Sequence, residues 1–131
     1  MVDINKNNYA SDLGEVIERP WGTYQSLYED IKGDDDNYKV KRITINSGQM
    51  LSLQSHKYRS EHWTVVRGTG IVTLNDKEII LNVNESVYLE QGCIHRMANK
   101  GAETLIFIEV QCGTYLGEDD IKRYEDIYGR V

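Results

Sequence analysis

The fold is decided by the stretch GQMLSLQSHKYRSEHWTVVRG, residues 48–68. It contains two short runs of alternating and β-branched residues on either side of a polar link at residues 57–60. Gln54 and His56 are two positions apart, so on a strand their side chains point to the same face. Glu61 follows the link, which is long enough for a hairpin that returns the chain beside its partner strand. The stretch therefore predicts an amide, an imidazole and a carboxylate that converge between neighbouring strands.

The chain around this stretch has the pattern of an all-β domain. From residue 38 onward, short β-branched and aromatic runs are broken by turn residues at intervals of roughly 8 to 12. Eight short strands without intervening helices exclude a parallel α/β sheet and leave a sandwich, a jelly roll or a small barrel. The predicted strands cover residues 38–45, 50–56, 62–67, 70–74, 78–81, 86–89, 95–99 and 104–111.

The two ends of the chain differ from this pattern. Residues 1–18 are polar without sustained periodicity, and residues 19–22 (RPWG) read as a turn, so we expect an N-terminal arm followed by one domain over residues 19–131. In residues 117–124 the acids lead and the bases trail, which favours a short C-terminal helix aligned with its dipole. A length of 131 residues fits one ordinary domain.

Composition narrows the possible partners and the location. Fifteen Lys and Arg against 21 Asp and Glu give a net charge of −6, which argues against a nucleic-acid footprint. We find no apolar run near the roughly 20 residues of a membrane helix and no signal-peptide pattern at the start, so we expect a cytoplasmic protein without membrane contact. Cys93 and Cys112 form no C-x-x-C pair and are expected to be reduced core residues.

Histidine is scarce, with three in the chain, and His95 follows a turn at Gly92 that could bring it to the other candidate ligands. Imidazole and carboxylate ligands suit zinc, manganese, iron, cobalt or nickel, and the lack of a thiolate argues against a structural zinc staple. We expect one divalent metal ion, with zinc favoured. Its predicted ligands are Gln54, His56, Glu61 and His95.

Together these positions resemble the cupin superfamily. The first cupin motif, G-x5-H-x-H-x3,4-E-x6-G, matches with glutamine in place of the first histidine, at Gly48, Gln54, His56, Glu61 and Gly68. The second motif, G-x5-P-x-G-x2-H-x3-N, keeps its second Gly, its His and its Asn but has lost the first Gly and the Pro, over Asn84, Glu90, Gly92, His95 and Asn99. The resemblance implies a cupin barrel, that is, a double-stranded β-helix or jelly roll.

A closer resemblance is to the type II mannose-6-phosphate isomerase domain, whose pattern also carries glutamine at the position of Gln54. It rests on residues 19–22, 54–66, 92–99, 109–111 and 115–120. That domain is commonly the C-terminal part of a bifunctional enzyme that begins with a mannose-1-phosphate guanylyltransferase. No G-x-G-x-R-type nucleotide loop occurs in these residues, so nucleotidyl transfer is not expected of them.

The resemblance implies a metal-dependent isomerase that interconverts mannose 6-phosphate and fructose 6-phosphate through an enediol, upstream of GDP-mannose and polysaccharide. Arg59 matches an arginine of the family pattern and is expected to act in catalysis or on the substrate, and Lys57 beside it to bind the phosphate at the barrel mouth. Glu109 is either the group that transfers the proton or a structural carboxylate whose hydrogen bonds are made within the protein. His62 and Arg96 alternate away from the ligands.

Two other functions fit the same motifs. One is a non-catalytic module that binds a sugar phosphate or a sugar nucleotide and assists a separate guanylyltransferase. The other is a metal-dependent oxygenase, which cupin sites also support, although glutamine in place of a histidine makes it the weaker alternative. We also expect a homodimer, since cupins often pair through sheet edges.

Overall fold

The computed structural model describes residues 9–33 and 35–131, so residues 1–8 of the predicted arm lie outside the described residues. The described chain forms strands and loops without a helix. It therefore contains no helix that could cross a membrane. The strands are β1 (Val16–Arg19), β2 (Gly22–Asp30), β3 (Asn37–Ile45), β4 (Leu53–Ser55), β5 (Arg59–Arg67), β6 (Gly70–Leu74), β7 (Lys77–Leu81), β8 (Ser86–Leu89), β9 (His95–Ala98), β10 (Leu105–Gly113) and β11 (Lys122–Glu125).

The strands form two antiparallel sheets. The six-stranded sheet has the order β1-β2-β3-β10-β5-β8, and the five-stranded sheet has the order β11-β4-β9-β6-β7. The all-β prediction is confirmed, and each of the eight predicted strands is present with small shifts at its ends. In the described residues, the hydrogen bonds leave two separate sheets and do not close them into one continuous barrel.

Three strands were not predicted. β1 and β2 form a hairpin whose two-residue turn is Pro20 and Trp21, within the predicted turn RPWG. β1 thus brings residues 16–18 of the expected arm into the six-stranded sheet. The alternation in β2 is interrupted by a register shift between Ser26 and Tyr28, which hides the strand from a period-two pattern.

The predicted C-terminal helix is wrong, because its second half forms β11, which pairs with β4. A charge pattern over eight residues adds little helix stability on its own, and a helix of that length is marginal without packing. Here Asp120 is buried, and its carboxylate accepts hydrogen bonds from the backbone N–H groups of Lys57 and Tyr58 at 2.9 Å each. These tertiary contacts hold the segment extended.

The buried positions change from apolar to polar along three of the four nine-residue strands, β3, β5 and β10. In β5 the buried residues run from Val65 and Trp63 to Glu61 and Arg59. The buried residues of the neighbouring β10 change in the same direction, from Leu105 and Phe107 to Glu109 and Gln111, and those of β3 run from Ile45 and Ile43 to Lys41 and Lys39. One end of the sandwich is therefore a hydrophobic core, and the other end is a buried polar site.

The two cysteines lie apart. Cys93 is buried beside the polar site, as predicted, whereas Cys112 is exposed on β10. The expectation that Cys112 is a core residue is wrong, because it follows the buried Gln111 on an alternating strand and points to the opposite, exposed face.

Candidate metal centre

Neighbouring strands bring the predicted metal ligands to the polar end of the sandwich. Gln54 on β4 pairs with His95 on β9, so their side chains project from adjacent positions of the five-stranded sheet. Glu61 comes from β5 of the facing sheet, and His56 lies in the link between β4 and β5. The hairpin expected from the sequence is wrong, because β4 and β5 belong to different sheets and do not pair. Residues 56–58 instead carry the chain from one sheet to the other.

Three of the four predicted ligands form a tight buried cluster. The nearest ligand atoms of His56, Glu61 and His95 all lie within 4.8 Å of one another. His56 Nε2 is 3.3 Å from Glu61 Oε2, and His95 Nε2 is 4.0 Å from Glu61 Oε1. Two imidazole nitrogens and a carboxylate at these separations match the donor set of a zinc, manganese or iron site.

Both imidazoles are oriented with Nε2 toward this cluster. His56 Nδ1 donates to the Asp120 carbonyl at 2.7 Å, and His95 Nδ1 donates to the Cys93 carbonyl at 3.1 Å. Each Nδ1–H bond fixes the tautomer that leaves a lone pair on Nε2. Burial and the positive charge of Arg59 lower the pKa of His56 to about 4, and burial lowers that of His95, so both rings are neutral near pH 7 and able to ligate.

Glu61 is held as a carboxylate by charge and hydrogen bonds. Arg59 Nε donates to Glu61 Oε2 at 2.8 Å, and Trp63 Nε1 donates to Glu61 Oε1 at 3.0 Å. Burial alone would raise the pKa of Glu61, but the adjacent positive charge of Arg59 outweighs burial and lowers it well below the usual range. The cluster therefore carries one fixed negative charge.

The fit to a metal ion can be tested on the hydrogen bonds of the cluster. His95 Nε2 is buried and has no hydrogen-bond partner among the described residues, a costly arrangement for a polar atom unless something else satisfies it. Gln54 lines the same cavity, and its Nε2 donates to the Ser52 carbonyl at 3.2 Å, so the amide oxygen is the ligand atom it can offer. The residues fit a divalent ion that His95 Nε2 would ligate.

Glu109 lies beside the cluster in a different electrostatic state. Trp63 Nε1 donates to Glu109 Oε1 at 2.8 Å as well as to Glu61, and Gln111 Nε2 donates to Glu109 Oε2 at 2.7 Å. Burial, reinforced by the negative charge of Glu61, raises the pKa of Glu109 to about 8. Near neutral pH this carboxyl can therefore both hold and release a proton.

The predicted substrate residues separate in the structure. Arg59 is buried, and its guanidinium also donates from Nη2 to His56 Nε2 at 3.3 Å, so it lies inside the cluster rather than at the mouth. Lys57 is exposed and lines a neighbouring cavity with Ser55, Gly92 and Lys122. The phosphate-binding role of Lys57 stays a prediction.

Other predictions of orientation hold. His62 is exposed on the outer face of β5, where its ring lies 4.6 Å from that of Tyr88. Arg96 turns away from the ligands, since its Nη1 donates to Glu125 at 2.8 Å and its Nε donates to the Leu51 carbonyl at 3.1 Å.

The cluster lies at the base of a cavity that encloses about 560 Å³ including its open mouth. Aromatic and aliphatic side chains form part of the wall, among them Trp21, Tyr24 and Ile43. Four cationic residues that sequence reasoning missed also line it: Arg19, Lys41, Arg123 and Arg130. Of these four, only Lys41 could have been predicted from the sequence, because it alternates in phase with the buried apolar residues of β3. Arg123 reaches the cavity only because β11 pairs with β4, and no local pattern predicts that pairing.

Comparison with known proteins now identifies the family. The family model described as mannose-6-phosphate isomerase, C-terminal, matches residues 6–126. The chain belongs to this family.

Solved cupin structures share the fold of this isomerase-family domain. The cupin domain of Cnp3 from Schizosaccharomyces pombe superposes with a TM-score of 0.67 at 12% identity, covering 76% of this chain and 68% of that one. The capsular polysaccharide assembling protein CapF from Staphylococcus aureus gives 0.70 at 18% identity, covering 86% and 34%.

Similar sequences come from bacterial polysaccharide synthesis. The domain is 51% identical to the alginate biosynthesis protein AlgA of Pseudomonas aeruginosa, over 88% of this chain and 23% of that protein. It is 50% identical to the xanthan biosynthesis protein XanB of Xanthomonas campestris, over 88% and 24%, and 47% identical to the mannose-1-phosphate guanylyltransferase ManC of Salmonella typhimurium, over 88% and 23%. The chain thus spans about a quarter of the length of these relatives.

Proposed function

We propose that this cupin domain is a metal-dependent aldose–ketose isomerase that interconverts mannose 6-phosphate and fructose 6-phosphate and so feeds GDP-mannose and polysaccharide synthesis. The observation that supports it is the pairing, through Trp63, of a ligand carboxylate with a protonatable carboxyl: Glu61 is ionised within the His56–Glu61–His95 cluster, and Glu109 next to it has a pKa of about 8. An isomerase needs these two properties in one cavity.

The metal is proposed to be one divalent ion, zinc by preference, held by His56, Glu61, His95 and the amide oxygen of Gln54. When bound, it supplies Lewis acidity that stabilises negative charge on the sugar oxygens during proton transfer. Glu61 is the only anionic member of this set, so the site keeps net positive charge.

The protein's own residues carry the proton transfers. In its ionised form Glu109 accepts the proton from C2 of the open-chain aldose, and then returns it to C1, while the hydroxyl proton on O2 moves to O1. The substrate is isomerised without an added oxidant or reductant. A pKa of about 8 suits this task, since a general base works best when its pKa lies near the working pH.

Arg59 is proposed to act from within the cluster. Its Nε bond at 2.8 Å keeps Glu61 ionised, and its Nη2 lies 3.3 Å from His56 Nε2, so its positive charge adjoins the reacting oxygens. The walls formed by Trp21, Tyr24 and Trp63 restrict water around the enediol.

The test combines metal analysis with an isomerase assay on the purified chain. We expect about one equivalent of metal, conversion of mannose 6-phosphate, and loss of both on chelation. His56→Ala should lose the metal and the activity, whereas His62→Ala, which removes the exposed histidine of β5, should retain both. Metal-loaded protein that leaves mannose 6-phosphate unchanged would refute the proposed function.

One observation favours a second candidate, a non-catalytic sugar-phosphate or sugar-nucleotide module that assists a guanylyltransferase. Two relatives carry the name mannose-1-phosphate guanylyltransferase, and this chain covers 23% of one and 22% of the other. The two candidates separate in the same assay, since the module predicts saturable binding of the ligand without turnover.

A further inference from the structure

A row of side chains runs from the candidate metal ligands toward β11. Arg123 on β11 is the register partner of Gln54 on β4, and Gln54 is the register partner of His95 on β9. Residues directly opposite in an antiparallel ladder project to the same face, and their Cα atoms are about 5 Å apart. Arg123 and His95 are therefore separated by two such steps, roughly 10 Å, on one face of the sheet.

The guanidinium of Arg123 is poorly satisfied by the protein. Its Nε is buried and has no hydrogen-bond partner within residues 9–33 and 35–131. Arg123, Arg130 and Arg19 line one cavity. Burial and the positive charges of Arg130 and Arg19 lower the pKa of Arg123, and the negative charges of Asp126 and Glu118 only partly oppose this shift. Like charges held together at a cost in free energy indicate that an anion belongs between them.

The surrounding structure positions the other two arginines. Asp126 binds Arg130 in a bidentate pair, at 2.8 Å from Nε and 3.0 Å from Nη2. Arg19 is exposed at the end of β1, and its guanidinium lies 5.3 Å from the ring centre of Tyr24. Both side chains line the same cavity as Arg123.

The charges in the rest of the cavity are already paired. Arg59 binds Glu61, and Lys41 binds Glu118 at 2.6 Å. Of the remaining three arginines, Arg130 is paired with Asp126. Glu109, the other carboxyl in the lining, is held largely protonated near neutral pH by its raised pKa, so Arg19 and Arg123 leave an excess of two positive charges. A phosphate monoester carries about −1.5 to −2 at neutral pH, so it matches this excess.

We propose that Arg123, with Arg130 and Arg19, binds the phosphoryl group of the sugar phosphate, on the β11 side of the cavity, about two strand spacings from His95. This inference rests on the proposed function for the identity of the sugar. In an open-chain hexose 6-phosphate the phosphate is at the far end of the chain from C1 and C2, so the row from His95 to Arg123 orients the substrate along the cavity. Guanidinium groups recognise phosphate oxygens in bidentate geometry.

This assignment differs from the one expected for Lys57 and Arg59. The donors of Arg59 are directed at Glu61, His56 and the Gly117 carbonyl, and Lys57 lines another cavity. The two assignments predict different variants to be defective, which makes them separable.

The experiment measures the affinity of the metal-loaded chain for inorganic phosphate by calorimetry, a probe that needs no turnover, and for mannose 6-phosphate by KM. Arg123→Gln should weaken phosphate binding at least tenfold and raise KM with metal content unchanged. Arg123→Lys, which keeps the charge but loses the fork, should recover part of the affinity. Arg19→Gln changes an exposed side chain, so it tests the site without disturbing the core.

The matched control is Lys122→Gln, which removes one positive charge from the neighbouring position of β11 and should leave both values unchanged. Unchanged phosphate affinity in Arg123→Gln and Arg19→Gln would overturn the site, as would a loss of affinity confined to Lys57→Gln. Phosphate binding that depends on Arg123 in a chain that does not isomerise the sugar would support the site and refute the proposed function alone.

Discussion

At the scale of single residues, Trp63 links two carboxyl groups that differ in protonation. Its Nε1 lies 3.0 Å from Glu61 Oε1 and 2.8 Å from Glu109 Oε1. Arg59 bonds directly to Glu61 and lowers the pKa of that carboxyl, whereas burial and Glu61 raise the pKa of Glu109. Two buried carboxyl groups in contact can share a cavity in this way, one as a ligand and the other as a proton carrier.

This difference predicts how Glu109 affects stability in the metal-free chain. A folded pKa of about 8 lies above the ordinary carboxyl value of 4.5, so Glu109 adds no cost below pH 4.5, where it is protonated in both states. As pH rises from 4.5 to 8, the unfolded chain releases the proton that the folded chain retains, and stability falls.

The variant Glu109→Gln removes this titration and keeps the size of the side chain. We expect the free energy of unfolding of Glu109→Gln, minus that of the unchanged chain, to increase from pH 4.5 to pH 8 and then level off. Urea unfolding at several pH values, with chelator present, measures it. A difference that stays flat would show that the protein does not hold Glu109 in its protonated form.

At the scale of elements, the C-terminal segment shows why local charge patterns can mislead. Asp120 makes three long-range hydrogen bonds in the fold. Its carboxylate accepts from two backbone N–H groups, and its carbonyl accepts from His56 Nδ1. The segment therefore fixes the orientation of His56, one of the candidate metal ligands.

We predict that Asp120→Ala lowers the free energy of unfolding by about 2 kcal/mol, the usual worth of hydrogen bonds to a buried charged group. Because the link that carries His56 loosens, metal affinity should also fall, by roughly 10-fold to 100-fold. Chemical unfolding and metal titration measure the two effects. Asp119→Ala, which removes an exposed carboxylate that accepts from the Tyr115 hydroxyl at 2.6 Å, is the matched control and should leave metal affinity unchanged.

Most strands could be predicted because their side chains alternate in burial. Residues 59–65 follow this rule, and so do residues 105–111, although both rows include buried charged residues. β2 was missed because a register shift interrupts its alternation, and β11 because only pairing with β4 stabilises four mostly polar residues as a strand.

At the scale of the whole molecule, the gradient from apolar to polar positions places the site at one end of the sandwich. The cluster His56, Glu61 and His95 was predictable because the sequence spacing specifies which face of a strand each side chain occupies, although the expected hairpin is instead a crossing between the sheets. The arginines of the cavity were not, because Arg123 reaches it through the pairing of β11 with β4, and Arg19 through the hairpin of β1 and β2. Such long-range pairings leave no local pattern.

The expected homodimer is the prediction that belongs to this scale. Within the described residues, β1 and β8 each pair on one side only, so they form the two edges of the six-stranded sheet. Each edge exposes an apolar side chain, Val16 at 60% and Tyr88 at 52%. Such an edge favours pairing with a second copy of the chain. Pairing would satisfy the unpaired backbone N–H and C=O groups and would bury the exposed apolar side chains.

Light scattering at micromolar concentration should therefore give twice the monomer mass. A lysine at a sheet edge opposes strand pairing, so Val16→Lys should reduce the dimer if β1 forms the interface, and Tyr88→Lys should do so if β8 forms it. Ile127→Lys, at an exposed apolar residue outside the strands, is the control and should leave the mass unchanged. A monomer mass for the unchanged chain would contradict the dimer. The candidate metal ligands and the three arginines at positions 19, 123 and 130 would then act within a single copy.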